Sequence, residues 1–372
     1  MADTPRVVLI ALDGFPLRSF RPAITPNLWR LGQAGGYCPE GGRSGLPSTT
    51  YPGFASLLTG LSSGATGVRT TARRPGAVPG WAGTDRTTTP TIVHLAGAAG
   101  LRAAVVMGDH ELQKVLALDE LERAWPPRAI VPAGTELDAH GYPTNAAVRG
   151  HALEAAADAS LDLLFVQFNE TDTVGHDSGP SAPATEACVR AADAIVGEIV
   201  QAIEPDWDRT VVIVTSDHDM ARRLPLPSID PTQGFDVAGL VDDWIADGCA
   251  AWVRLARGVD PHLAINRLSA LEGVEGWRWR EPATLLLLAA PGRVFASPSI
   301  PLAGIHGSAG TARTLAVVGG GHPAVSNIGR AIEERSPRLQ DWAPTIACLL
   351  GIDLPLAEGL NMLEGCEATC SG

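Results

Sequence analysis

Seven residues carry the chemistry that this sequence advertises. Asp13, Thr50, Asp172, His176, Asp217, His218 and His306 lie, in that order, in the segments VVLIALDG, LPSTTYPGFASLLTG, ETDTVGHDSGP, VVIVTSDHDM and GIHGS. Three carboxylates, three imidazoles and one hydroxyl are the donor set that two zinc ions need to activate a nucleophile between them. Any one segment is weak evidence. Five in one order, each at the end of an apolar run, point to a single two-metal phosphoryl-transfer site.

Such residues must be placed by a rigid scaffold. Apolar, β-rich runs recur at Val7–Leu12, Ala103–Met107, Leu161–Phe168, Val211–Thr215, Ala251–Leu255, Thr284–Ala290 and Thr314–Val318, with helical stretches between them. Near-continuous apolar strands separated by helices predict an α/β fold with a mostly parallel sheet covered on both faces. Ligands of such sheets bind at the carboxyl ends of the strands, and Asp13, Asp172, Asp217 and His218 each sit just past such an end. Thr25-Pro26 reads as a helix start with Gly35 as the stop, and Pro52 starts a helix running to Thr59 with Gly60 behind it. Thr50 then stands at a helix N-terminus, where free N–H groups favour a phosphate oxyanion. Asp341 is expected to cap a last helix through Leu350, with Pro344 in its first turn.

Between the fourth and fifth segments the pattern changes. A strand at Ala251–Leu255, a helix at Pro261–Leu271 and strands at Val274–Arg280 and Thr284–Ala290 predict a small α+β insertion over residues 233–301. The catalytic core would then be residues 1–232 and 302–372. Trp277–Arg280, WRWR, is expected to be a strand with one packed and one wet face. Thr70–Thr89, rich in Gly, Pro, Thr and Arg, reads as a loop. Cys348 is expected to be a small core residue, and the Cys366/Cys370 pair in the tail a bystander rather than a metal site.

The 372 residues are 45% hydrophobic and 19% charged, the composition of a globular protein with a sizeable core. The formal charge of −13 argues against a nucleic-acid-binding surface, which would carry a basic stripe. No apolar run approaches the ~20 residues that span a bilayer, so no membrane segment is expected. The N-terminal MADTPR has neither a basic region nor a cleavage site, and we expect a cytoplasmic protein.

Taken together, the segments resemble the nucleotide pyrophosphatase/phosphodiesterase branch of the alkaline phosphatase superfamily. The match rests on Thr50-Tyr51-Pro52 through Thr59-Gly60, Asp172–His176, Ser216-Asp217-His218, His306-Gly307 and the closing helix APTIACLLGI, and runs from about residue 6 to about residue 360. The resemblance implies an alkaline-phosphatase-like fold. It also implies one zinc on Asp172, His176 and His306 and another on Asp13, Asp217 and His218, with Thr50 facing both. Coordination lowers the pKa of a hydroxyl enough to supply an alkoxide, and in-line attack would give a phosphothreonine.

The departures from the family bear on the substrate. Thr71 stands where the family places an Asn that holds a phosphoryl oxygen, and a hydroxyl reaches less far than an amide. Gly53 and Phe54 replace the Asn-His that usually follow the proline, and Asp219 replaces a glycine. Of two aromatic residues that stack on a nucleotide, Tyr51 is kept and Ser178 replaces the other. Two zinc ions, three carboxylates and an alkoxide sum to zero charge, which suits a diester better than a dianionic monoester. Arg69, Arg73 and Arg74 are either solvated loop residues or a supply of the extra charge that a monoester or phosphonate needs. The expectation is therefore a two-zinc phosphodiesterase acting on a small phosphate ester. A monoesterase or phosphonate hydrolase on the same site is the first rival, and a non-enzymatic metal-binding relic the second. A sulfatase is disfavoured, since there is no C-x-P-x-R segment.

Overall fold

The structure, a computed structural model, describes residues 4–71, 86–281, 283–295 and 302–363. The strands of its two larger sheets, in chain order, are β1 (Arg6–Leu12), β2 (Gly36–Tyr37), β3 (Ala103–Met107), β4 (Ala124–Trp125), β5 (Leu163–Phe168), β6 (Thr210–Thr215), β7 (Val241–Asp247), β8 (Ala250–Leu255), β9 (Val274–Glu281), β10 (Thr284–Ala289) and β11 (Ala316–Gly319). Seven of them form the main sheet in the order β2-β11-β6-β1-β5-β3-β4. The pairs β6-β1, β1-β5, β5-β3 and β3-β4 are parallel, while β11 runs antiparallel to both β6 and β2. The α/β fold with a mostly parallel sheet read from the apolar runs is the fold observed.

Strand β1 shows why those runs are continuous. Alternate side chains of a strand face opposite sides. Val7, Leu9 and Ala11 pack with Phe54, Leu57, Val93, Ile328 and Ile346, while Val8, Ile10 and Leu12 pack with Leu28, Val148, Val189 and Val196. Helices therefore cover both faces, and every position of β1 is buried. Each such aliphatic side chain contributes about 1.5–3 kcal/mol by leaving water. A polar residue in the middle of either face would lose that and bury an unpaired group. The one charged residue of β1, Arg6 at its start, is met by Asp206 at 3.6 Å and by Ala156 O at 2.7 Å, and the next charge comes after Leu12.

Residues 241–289 form a second, four-stranded antiparallel sheet in the order β9-β10-β8-β7, backed by the helix Pro261–Ser269. Its core of Ala251, Val253, Leu285, Leu287 and Leu268 is separate from the two cores of the main sheet. Strand β7 has no counterpart in the apolar runs, because Asp242 and Asp243 interrupt it. The available signal was Asp247-Gly248: Asp247 pairs with Ala250 across a two-residue turn, and Gly248 has φ +63°.

Several local expectations need correction. Trp277 and Trp279 pair with Leu287 and Leu285, but they remain 36% and 40% exposed, so the WRWR strand has no fully packed face. Strand β9 is an edge strand, covered on one side only. Cys348 is exposed, since the helix Trp342–Leu350 buries the residues on either side of it. Asp341 makes no side-chain cap to that helix. Its carboxylate instead accepts from Arg338 N and Leu360 N, both at 2.8 Å. Thr25 makes no side-chain cap either, because its hydroxyl donates back to Ser19 O at 3.1 Å. The Cys366/Cys370 pair and most of the loop Thr70–Thr89 lie outside the described residues.

Candidate metal centre

The chain leaves the carboxyl ends of the central strands directly into the predicted residues. Asp13 follows β1, Asp217 and His218 follow β6, and the helix Glu170–Ser178 after β5 carries Asp172 and His176 on one face, four residues apart. Thr50 opens the helix Thr50–Thr59, whose Gly60 ends it at φ +74°. His306 follows the short strand Gly304–Ile305, which pairs with Ala221–Arg222 just beyond His218.

These residues meet as two donor groups. Asp172, His176 and His306 offer ligand atoms within 4.8 Å of one another, and so do Asp13, Asp217 and His218. The groups touch: His218 Nε2 lies 3.9 Å from Asp172 Oδ1, and the His218 and His306 rings stack at 3.8 Å. Thr50 Oγ1 lies 3.3 Å from His218 Nε2. All seven residues read from the segments come to one place.

Second contacts aim the donors inward. His176 Nδ1 donates to Gly304 O at 2.8 Å, His218 Nδ1 to Asp219 O at 3.1 Å and His306 Nδ1 to Ser48 O at 3.2 Å. Each imidazole is thereby left with its Nε2 facing the centre, the tautomer a metal ligand requires. Gln167 Nε2 donates to Asp13 Oδ2 at 3.1 Å, and Gly14 N to Asp217 Oδ1 at 3.1 Å. Gly14 has φ +58°, and a Cβ there would lie 2.6 Å from Asp172 Oδ1. A side chain at that position would push the two donor groups apart.

The electrostatics fit a cation. Asp13 Oδ1, Asp172 Oδ1 and Asp217 Oδ2 are buried without a hydrogen-bond donor. Burial, reinforced by Asp217 and Asp172, pushes the Asp13 carboxyl well above its usual range, and burial raises Asp217 as well. Burial also works against ionised Asp172, yet His176, His306 and His218 hold it below the normal value. Burial depresses His306, while Asp172 overcomes burial at His176 and raises it to about 8. Three carboxylates sharing a dry site cost several kcal/mol each without a counter-ion. Two divalent cations held by these oxygens and Nε2 atoms would remove that cost.

Comparison with known proteins gives the family and the fold. The sequence profile of the type I phosphodiesterase / nucleotide pyrophosphatase family matches residues 7–253. The chain belongs to that family. A human relative, ectonucleotide pyrophosphatase/phosphodiesterase family member 7, is 33% identical over 97 residues, which span 25% of this chain and only 21% of the relative. Human ectonucleotide pyrophosphatase / phosphodiesterase 5 has a similar structure at 15% identity, with TM-score 0.70 over 96% of this chain and 98% of that one. A phosphonoacetate hydrolase from Sinorhizobium meliloti 1021, in complex with phosphonoformate, superposes with TM-score 0.67 at 20% identity, covering 85% of this chain and 90% of that one.

The residues that bear on the substrate behave variously. Thr71 Oγ1 accepts from Tyr51 N at 3.2 Å, so it bonds the start of the helix Thr50–Thr59 and retains its own proton to donate. Tyr51 is 3% exposed and packs in the core, offering no open ring face to a base. Its hydroxyl meets the phenol of Tyr142. Arg69 forms an ion pair with Glu281 of β9, so it is not a merely solvated loop residue. Arg73 and Arg74 lie outside the described residues. Ser178 is exposed. The Asp219 carboxylate accepts from Met220 N at 2.6 Å, and burial raises its pKa.

Asp247 escaped the sequence reading altogether. It is fully buried at the end of β7, and its Oδ2 accepts from Thr49 Oγ1 and from Thr71 N, both at 3.0 Å. Burial raises its pKa, against the opposing pull of the Thr70, Thr71 and Thr49 donors. Only the Asp-Gly turn signal pointed to its neighbourhood, and nothing in the sequence connected it to Thr50.

Proposed function

We propose that this protein is a metal-dependent phosphoric ester hydrolase of the phosphodiesterase type, with two zinc ions per chain and Thr50 as nucleophile. The observation that carries the proposal is Thr50 Oγ1 beside His218 Nε2, at the junction of two three-residue donor groups. Asp172, His176 and His306 would hold one ion and Asp13, Asp217 and His218 the other. Mixed nitrogen and carboxylate donors suit zinc. Bound there, the ions would lower the pKa of the attacking hydroxyl and neutralise charge on the phosphoryl oxygens.

The chain itself supplies position. Thr50 Oγ1, its hydroxyl proton given up, would form a bond to phosphorus while the bond to the leaving oxygen breaks in line, and the leaving alkoxide would take up a proton and depart as the alcohol. Water would then cleave the phosphothreonine ester, its oxygen going to phosphorus and one proton to Thr50, so that a diester yields a phosphate monoester and the Thr50 hydroxyl is restored. The hydroxyl of Thr71 would donate to a phosphoryl oxygen. Residues 1–232 and 302–372 would form this hydrolase core, with 233–301 as an insertion packed beside it.

Charge balance favours diesters, and Arg69, tied to Glu281, adds no free cation for a second negative charge. The second reading, a monoesterase or phosphonate hydrolase, is favoured by the structural likeness to the phosphonoacetate hydrolase. The relic reading requires a lost donor or nucleophile, and the sequence has lost none of the seven. A panel of one diester, one monoester, one phosphonate and one sulfate ester on zinc-loaded protein decides among them. The diester should give the highest kcat/KM, with two zinc atoms per chain by elemental analysis. A clear monoester or phosphonate preference would transfer the assignment to the second reading.

A further inference from the structure

Asp247 ends the edge strand β7 of the antiparallel sheet, and its carboxylate is buried where that sheet meets the donor groups. Three donors converge on it. Thr49 Oγ1 and Thr71 N both bond Oδ2 at 3.0 Å, and the side chain of Thr70 bonds it as well. Thr49 immediately precedes Thr50. Thr71 in turn accepts from the backbone of Tyr51, which immediately follows Thr50. One carboxylate therefore grips the chain on both sides of the nucleophile, once directly and once through Thr71.

The same turn also reaches a candidate ligand. Cys249 N donates to His306 O at 2.7 Å, and a Cβ on Gly248 would lie 2.4 Å from that oxygen. His306 Nδ1 is bonded to Ser48 O, one residue before Thr49. Among the described residues no salt bridge neutralises Asp247. A buried carboxylate without a cation is a poor choice for packing alone, and its three hydrogen bonds are what retain it.

We infer that Asp247 is a positioning residue: it fixes the Thr50 hydroxyl against the donor groups, and the turn Asp247–Cys249 makes the antiparallel sheet part of the catalytic device. The inference goes beyond the proposed function and rests on it in one respect, Thr50 as nucleophile. A misplacement of about 1 Å in a reacting group costs on the order of a hundredfold in rate. Asp247→Ala should accordingly lower kcat by about ten- to a hundredfold while leaving KM within about threefold and zinc content unchanged. Asp247→Asn keeps an acceptor for Thr71 N and should lose less.

Thr49→Val removes one of the same contacts from the other side. If Asp247 acts through Thr49, the Thr49→Val/Asp247→Ala double variant should be no slower than Asp247→Ala alone. The inference is overturned if Asp247→Ala keeps kcat within twofold of the parent. It is also overturned if the two substitutions multiply, or if the lost turnover merely follows lost zinc or lost folded protein. Thr50→Ala on the same diester settles the underlying reading separately, because it removes the nucleophile while the Asp247 and Thr49 variants are read only as ratios to the parent.

Discussion

The donor groups at the strand ends and the rim of the antiparallel sheet are both rich in charge, and they treat it in opposite ways. At the rim, carboxylates are exposed and matched: Arg267 with Asp236 at 2.8 Å, Arg254 with Asp242 at 2.8 Å, Arg293 with Glu272 at 3.3 Å. At the strand ends, Asp13, Asp172 and Asp217 are tucked away with oxygens that no donor reaches. Matched charge in water contributes little and needs no further account. Unmatched charge in a dry site is unstable unless something completes it. The difference locates function better than the number of charges does, since a chain at −13 has carboxylates everywhere.

The comparison breaks most severely at the nucleophile. Thr50→Ala should abolish turnover, by at least a thousandfold on the scale of a lost nucleophile, with zinc content and melting temperature retained. Residual activity within tenfold of the parent would show that water attacks phosphorus directly.

Next in size is removal of one donor. Asp13→Ala and His306→Ala should each lose activity together with bound zinc, measured by elemental analysis. In the parent, zinc at 100 times its dissociation constant should add about 2.7 kcal/mol of stability per site, read as a melting temperature that chelation lowers. A variant lacking Asp13 that still binds two zinc ions would remove that residue from the ligand set.

Acidity sharpens the contrast, because protons and metal compete for the same atoms. In the metal-free protein His176 is raised from 6.5 to about 8 by Asp172. That pair therefore stabilises the fold fully below pH 6.5 and loses its contribution as pH rises through about 8. Asp13, also raised, acts in the same direction, because its carboxylate ionises at a cost. Metal uptake has the opposite sign. It must displace the His176 proton, so apparent zinc affinity should rise by about tenfold per pH unit up to about 8. Titrations at pH 6, 7 and 8 with and without zinc test both signs, and a pH-independent affinity would remove His176 as a ligand.

The smallest effect belongs to the rim. Arg267 and Asp236 are 48% and 74% exposed, so Arg267→Ala should change stability by less than about 1 kcal/mol and leave kcat/KM unchanged. A larger loss in chemical denaturation would mean that rim pairs and the strand-end centre are not as different as their burial suggests.

The sequence read on its own was strongest where function and local structure coincide. The middle of a buried apolar strand does not carry unpaired charge, so Asp13, Asp217 and His218 betrayed themselves by standing at the ends of runs. Asp172 and His176 did so by their helical spacing. Cys348 and the WRWR strand show the reverse case: their apolar context was plain, but which face was covered depended on neighbours far away in the chain. Strand β7 was hidden by Asp242 and Asp243, which an edge strand tolerates.

What the sequence determined by itself, then, is the α/β scaffold, the family and the seven residues that the fold brings together, because strand periodicity and the chemistry of ligand types are local properties. Only the tertiary structure decided which donors share a group, that Tyr51 turns into the core, that Arg69 is committed to Glu281, and that Asp247 reaches Thr49 and Thr71. Those outcomes depend on residues as much as 212 positions apart meeting across two sheets. A contact between distant segments is fixed by packing, and no spacing along the chain records it.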